Sequence, residues 1–218
     1  MAQSADAGQF RALIHAQWQM PVRYVRSIRV LATLLLVVCS IALAGCNEYQ
    51  TARGDYARGD YKQALRRLEA LAREGHVAAQ YDVAQMYFQG IGTAENTVEG
   101  ARWLLLAADS GNVGAMIQIA GLYEQGVAGV RDDIRAAQWY RRAARHGDAV
   151  ARFHLGMMSL EGRGVPRDAS AALAWLRLSQ RAGGWSAKLR ADELAERLSP
   201  AERDRAETLM QRFSEAQP

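Results

Sequence analysis

The chain has 218 residues, half of them hydrophobic, with 27 basic and 23 acidic residues for a formal charge of +4. Four basic residues (Arg11, Arg23, Arg26, Arg29) and one acidic residue (Asp6) precede residue 46, so the remainder is near neutral at +1, which excludes an electrostatic case for nucleic acid. Only Cys39 and Cys46 occur, and a chain trimmed at residue 46 keeps one of them, which excludes an internal disulfide and leaves stability to packing.

In chain order, the first element is an uncharged stretch over 30–44, preceded by Arg23, Arg26 and Arg29. It falls short of the roughly 20 residues that a helix needs to span a bilayer. Its length and basic flank fit a secretory h-region. It ends in Leu43-Ala44-Gly45-Cys46, which resembles the bacterial lipobox, where the Cys is acylated and becomes the first mature residue. Residues 1–45 are therefore expected to be a lipoprotein signal peptide, with Met20 an alternative start, because 1–19 is long for an n-region. Cys46 is expected to carry the lipid and 46–53 to form a tether. By resemblance to sorted lipoproteins, Asn47 rather than Asp after the Cys directs the protein to the periplasmic face of the outer membrane.

From residue 54 the chain repeats. A partial unit over 54–76 carries Gly54, Asp60 and Gly75 one period before Gly90, Asn96 and Gly111, with Arg67 at the position that later holds Trp. Three gap-free units of equal length follow, 77–112, 113–148 and 149–184. Trp103, Trp139 and Trp175 share one position, Ala79, Ala115 and Ala151 another, and Gly90, Gly126 and Gly162 a third. A fixed period in this range means a solenoid, because one supersecondary unit cannot bury its apolar face alone. Each unit reads helix–loop–helix. In the first, Ala79, Val83, Met86 and Tyr87 line one helical face. Gly90-Ile91-Gly92 breaks the helix and Asn96 sits where an N-cap belongs. Ala101, Trp103, Leu104, Ala107 and Ala108 then mark a second helix. Downstream, Ala187, Leu189, Leu194 and Leu198 suggest a further helix. Ser199-Pro200 with Glu202 gives a capping box that opens a last helix, with Ala206, Leu209, Met210 and Phe213 inward. Residues 185–218 read as a C-terminal helical cap with a polar outer face.

The string Ala151-x-x-x-Leu155-Gly156, then Gly162-x-Gly164-Val165-x-x-Asp168-x-x-x-Ala172-x-x-Trp175, resembles the Sel-one-like repeat, a relative of the tetratricopeptide repeat. The resemblance covers about 54–184. The departures are Thr93 for Val, a Gly129-Val130 that comes one residue late, Ser159 opposite Tyr87 and Tyr123, and Leu176 opposite Tyr140. The resemblance implies an all-α, right-handed α–α solenoid of tetratricopeptide-like hairpins. It also implies a non-catalytic interaction scaffold or adaptor of the cell envelope, here expected as a monomer. The alternative is a regulator or accessory subunit of exopolysaccharide export or of cell-wall enzyme machinery.

No chemistry competes with that expectation. His76, His146 and His154 form no pair at metal-ligand spacing and have no thiol partner. The Gly clusters lack the strand context of a nucleotide motif, and no Gly-x-Ser-x-Gly elbow is present. No enzyme activity, metal or cofactor is expected. In a tetratricopeptide-like stack the first helices line the inner groove. Its ladders are Asp82/Gln118/His154, Gln85/Gly121/Met157 and Gln89/Gln125/Glu161. Asp82, Gln85, Gln118, Gln125, His154, Met157 and Glu161 are the candidate partner-binding residues, against a groove that holds only water. An envelope protein or peptide is the expected partner.

Overall fold

The computed structural model describes residues 47–127 and 131–215. The signal segment, Met20, Cys46 and the shifted Gly129-Val130 lie outside the described residues. All but the first two described residues belong to one compact unit, Tyr49–Pro218. Every regular element among the described residues is a helix. We label them α1 (47–57), α2 (Tyr61–Arg73), α3 (Val77–Gln89), α4 (Thr97–Asp109), α5 (Val113–Gln125), α6 (Asp133–Arg145), α7 (Ala149–Glu161), α8 (Ala169–Arg181), α9 (Trp185–Arg197) and α10 (Pro200–Glu215).

The period of the sequence becomes a period of helices because the same signals recur. The second helices α4, α6 and α8 start where the Oδ1 of Asn96, Asp132 and Asp168 accepts the backbone N–H of Glu99, Arg135 and Ala171. The first helices have their own caps, at His76, Asn112 and Asp148, which accept from Ala79, Ala115 and Ala151. The first helices of the three full units each end on a left-handed glycine, Gly90, Gly126 or Gly162. Successive helices from α2 to α9 then pack in chain order, with Ala79, Ala108, Ala115, Ala144 and Ala151 at 2 % exposure or less. Trp103 packs against both the first and the central core clusters and so ties them together.

Two glycines set how the units stack. Gly92 has φ 77°, and a Cβ there would lie 2.6 Å from the Tyr61 carbonyl oxygen. Gly164 has φ 64°, and a Cβ there would collide with the Asp133 backbone. Each glycine thus lets the loop of its unit rest on the first turn of the preceding second helix.

The N-terminal end departs from expectation. The 46–53 tether is corrected over 47–53, which are helical, with Ala52 wholly buried among Ala64, Leu68, Ala79 and Val83. Gly54 is not a break either. The helix runs one turn further, to residue 57, and turns at Gly59 (φ 87°). The reason is Asp55, 5 % exposed, whose carboxylate pairs with Arg67 at 2.9 Å and with Arg58, and so holds the extra turn. Arg67 thereby puts an ion pair where the full units put Trp.

At the other end α9 begins 36 residues after α7, and Ala187 extends the buried column of Ala79, Ala115 and Ala151. It is the first helix of a fourth unit. Its Ala187, Ala191 and Leu194 share a core cluster with Ala172, Leu173 and Leu176 of α8, and Phe153 and Leu160 pack against that cluster. The predicted capping box forms, with the Ser199 N–H bonding Glu202 at 2.9 Å and the Glu202 N–H bonding the Ser199 hydroxyl at 3.3 Å. Phe213 of α10 stacks on Trp175, with centroids 4.1 Å apart. The outer face is not wholly polar, however. Trp185 is 85 % exposed and Leu189 66 %.

Candidate functional site

The first helices α1, α3, α5 and α7 lie side by side, and their ladder positions meet at a constant offset. The Tyr49 hydroxyl donates to Asp82 Oδ2 at 2.7 Å, and Gln85 Nε2 donates to Gln118 Oε1 at 2.7 Å, each pair 33 residues apart. The next pair at that offset is Gly121 and His154. Gly121 has no side chain to offer, and a Cβ on it would approach only the Tyr140 hydroxyl, at 3.9 Å. His154 turns to that ring instead. Its imidazole stacks on Tyr140 with centroids 4.5 Å apart and planes 8° from parallel, and its Nδ1 lies 3.5 Å from Glu124.

Glu124 is the hub of this second cluster. It accepts from the Tyr140 hydroxyl at 3.0 Å and from Arg163 at 2.7 Å. Arg163 also pairs with Glu161 and lies 3.7 Å from Asp133. Burial works against the Glu124 charge, but the hydrogen bonds from Arg163 and Tyr140 hold its carboxyl below the usual range. Burial pushes the His154 imidazole down, and the nearby Glu124 offsets only part of that. The imidazole is therefore neutral at pH 7 and acts as a flat packing surface. Burial and the Asp82 carboxylate push the Tyr49 hydroxyl up to about 12.

Five of the seven candidate residues thus fall into two groups. Asp82, Gln85 and Gln118 belong to a polar ladder that stitches one unit to the next. His154 and Glu161 belong to the Glu124 cluster. Gln125 is exposed and Met157 half-buried on the same helix faces. Sequence reasoning missed Tyr49, Glu124, Tyr140 and Arg163. A signal existed for three of them. Glu124 stands in a column with Phe88 and Leu160, Tyr140 with Leu104 and Leu176, and Arg163 with Ile91 and Val127. Each breaks an apolar column, and the three breaks meet in space.

A cavity of about 240 Å³ opens between α1 and α3. Leu68 and Met86 form its floor, Tyr56 a wall, and Arg53, Gln85 and Gln89 its rim. A wider, open recess lies at the loop end, between residues 59–63 and 90–94. Among the described residues no three His, Cys, Asp or Glu side chains gather to hold a metal. No helix among them is long and apolar enough to cross a membrane.

The Sel1 repeat model matches residues 77–112, 113–148 and 149–183. Among solved structures, a Sel1 repeat protein from Oxalobacter formigenes is 32 % identical, over 58 % of this chain and 95 % of that one, with a TM-score of 0.55. The protective antigen c5321 of uropathogenic Escherichia coli, which displays an SLR fold, is 23 % identical over 71 % of this chain and 41 % of its own, with a TM-score of 0.46. Cysteine rich protein B of Helicobacter pylori is 22 % identical over 58 % and 93 %, also at 0.46. No curated protein matches the chain.

Proposed function

The chain belongs to the Sel1 repeat family, whose members are in general protein-interaction scaffolds, and from that premise we propose that it is a non-catalytic scaffold of the bacterial cell envelope that takes a protein or peptide along its first-helix groove. One contrast carries the reading. Core columns repeat from unit to unit, as Ala79, Ala115 and Ala151 do, whereas the groove column Gln85, Gly121 and Met157 changes chemistry. Constant positions serve packing, and variable ones can discriminate along an extended ligand. The test is capture of partners from envelope extract by the full chain. Joint replacement of Gln89 and Gln125 by Ala should weaken capture and leave the melting temperature unchanged, because both are exposed. Capture that survives this change but is lost on replacing Arg141 and Arg142 of α6 would move the binding surface to the second helices.

The anchoring reading rests on Leu43-Ala44-Gly45-Cys46 and Asn47. In it, Cys46 is acylated and the scaffold sits on the periplasmic face of the outer membrane. The compact unit begins at Tyr49, and three residues reach no more than about 11 Å. The N-terminal end of the array would then be held against the lipid surface. Lipid attachment stabilises membrane binding through buried methylenes. Cys46→Ser should release the protein from the membrane pellet on fractionation; a variant retained as firmly as wild type sinks the anchor.

A further inference from the structure

We propose that the start of α9, with Trp185, Leu189 and the flanking Arg181 and Lys188, rests on the anionic phospholipid surface in which Cys46 is anchored, so that the array is held at both ends. The proposal rests on the anchoring reading above and adds a second contact to it.

The repeat sets which parts of the chain share an edge. Helices α2 to α9 are joined by short turns and loops and pack in chain order, so they alternate in direction. First helices accordingly run parallel. Tyr81 lies 3.8 Å from where a Cβ on Gly114 would stand, and Gln85 bonds Gln118, both at an offset of 33 residues and in the same order. The bond from Tyr49 to Asp82 is the same pair one period earlier, so α1 joins the series. Every first helix therefore starts from one edge, α1 at residue 47 beside the expected acylation site and α9 at Trp185. Lipid beneath Cys46 lies along the edge on which Trp185 stands.

The side chains at that place suit an anionic interface. Trp185 is 85 % exposed, and Leu189, one turn on along the same face, is 66 % exposed. Large apolar groups left together in water mark a contact surface. An indole suits the boundary of a bilayer, with its apolar body in the lipid and its N–H among the headgroups. From residue 169 to 191 the chain carries Arg177, Arg181, Lys188 and Arg190 and no acidic residue. Arg177 pairs with Glu207 and Arg190 with Glu193, whereas Arg181 and Lys188 join no ion pair among the described residues. Both are exposed and flank Trp185 in the chain. Their charges complement phosphate headgroups, and their aliphatic stems lie along apolar surface while the heads stay in water.

The second half of α9 favours a surface over a helix as the occupant. Asp192, Glu193 and Glu196 are all exposed there. The apolar and cationic groups are thus confined to the end of α9 that meets the edge, and the acids to the far end. A plane that approaches the edge meets only the first half. A helix continuing the stack would lie along the whole of α9 and set its apolar stripe against three carboxylates, which costs their desolvation. Contact through the edge also leaves the groove open, because ladder side chains project sideways from helices that rise from the surface.

The test reconstitutes the membrane-extracted, acylated chain into vesicles whose phosphatidylcholine carries brominated acyl chains, with or without an equal share of phosphatidylglycerol. Bromine quenches only indoles that reach the acyl layer. Trp103, Trp139 and Trp175 are half-buried in the array and serve as controls. With phosphatidylglycerol present, wild type should lose the Trp185 share of its emission, and Trp185→Phe should show no such loss. Arg181→Glu with Lys188→Glu should reduce the quenching several-fold, as should vesicles of phosphatidylcholine alone. The melting temperature should not move in either variant, because all three side chains are exposed.

Several results overturn the proposal. Wild type that floats with the anionic vesicles but is not quenched loses this contact and keeps the anchor. Quenching that survives in Trp185→Phe assigns the contact to another part of the array. Equal quenching with and without phosphatidylglycerol removes the role of Arg181 and Lys188. Quenching that disappears as protein density on the vesicle rises makes a second copy of the chain the occupant. A membrane-extracted chain whose mass carries no acyl groups removes the anchoring reading itself, and the contact falls with it.

Discussion

Glu124 shows how one residue can reorganise a surface that its column predicts to be apolar. Its carboxylate gathers Tyr140, Arg163 and His154, where the aligned residue is Phe88 in the first unit and Leu160 in the third. The consequence is a pH dependence with a definite sign. Both His154 and Glu124 have folded pKa values below their unfolded ones. In each case the unfolded chain binds the proton more readily, so stability is complete above the unfolded pKa and is lost as pH falls through the folded one. For His154 that window opens below about 6.5, and for Glu124 below about 4.3. The urea midpoint should therefore fall from pH 7 to pH 5.5, and His154→Gln should flatten that interval while leaving the steeper loss below pH 4.5. A His154→Gln profile that parallels wild type over pH 7–5.5 would assign the loss to another group. The exposed candidate residues and the stitched ones were equally polar on paper. Only the packing of α3 on α5 separates Gln118, bonded to Gln85, from Gln125, which faces water.

At the scale of the element, the helices follow from local signals and their junctions from close approach. Glycines with positive φ occur at both kinds of place, and the structure distinguishes them. Gly111 has φ 95° with nothing near its missing Cβ, whereas Gly164 would drive a Cβ into the Asp133 backbone. Gly111→Ala should cost only the left-handed conformation, about 1–2 kcal/mol. Gly164→Ala adds a clash with backbone that cannot rotate away, for about 3 kcal/mol or more. Urea melts of the two variants check the order; equal losses would mean that the loop swings off α6 without penalty. Gly54 shares the column of Gly90 but not its role, because the buried Asp55–Arg67 pair stabilises a further turn. That pair joins α1 to α2, so no local pattern could announce it.

At the scale of the whole molecule, the array is longer than its Trp signature. α9 continues the 36-residue register without a Trp unit to follow it, and α10 lies across α8 in place of a regular second helix. In the preceding units the residues aligned with Leu189, namely Tyr81, Ile117 and Phe153, pack against their neighbours. Leu189 has no such neighbour and stays exposed with Trp185. Replacing both by polar residues should therefore shift the unfolding free energy by no more than about 0.5 kcal/mol. Phe153→Ala, at a partly buried position against the α8–α9 cluster, should cost more, about 1–3 kcal/mol. Thermal and urea melts decide it; a large loss for the Trp185/Leu189 double variant would reveal a contact that they make in solution.

The sequence alone determined the helices from α2 onward, the caps of α4, α6, α8 and α10, the buried alanine columns and the solenoid class. Each of these depends on neighbours within a turn or on an identical unit one period away, and periodicity records both. The tertiary structure decided which groove side chains stand free, where α1 ends, and that a cavity of about 240 Å³ opens between α1 and α3. Those outcomes turn on single side chains from different units meeting across helices, Tyr49 with Asp82, Glu124 with Arg163, Tyr140 with His154. A repeating pattern marks such residues as departures from its columns, but only the packed helices bring the departures together.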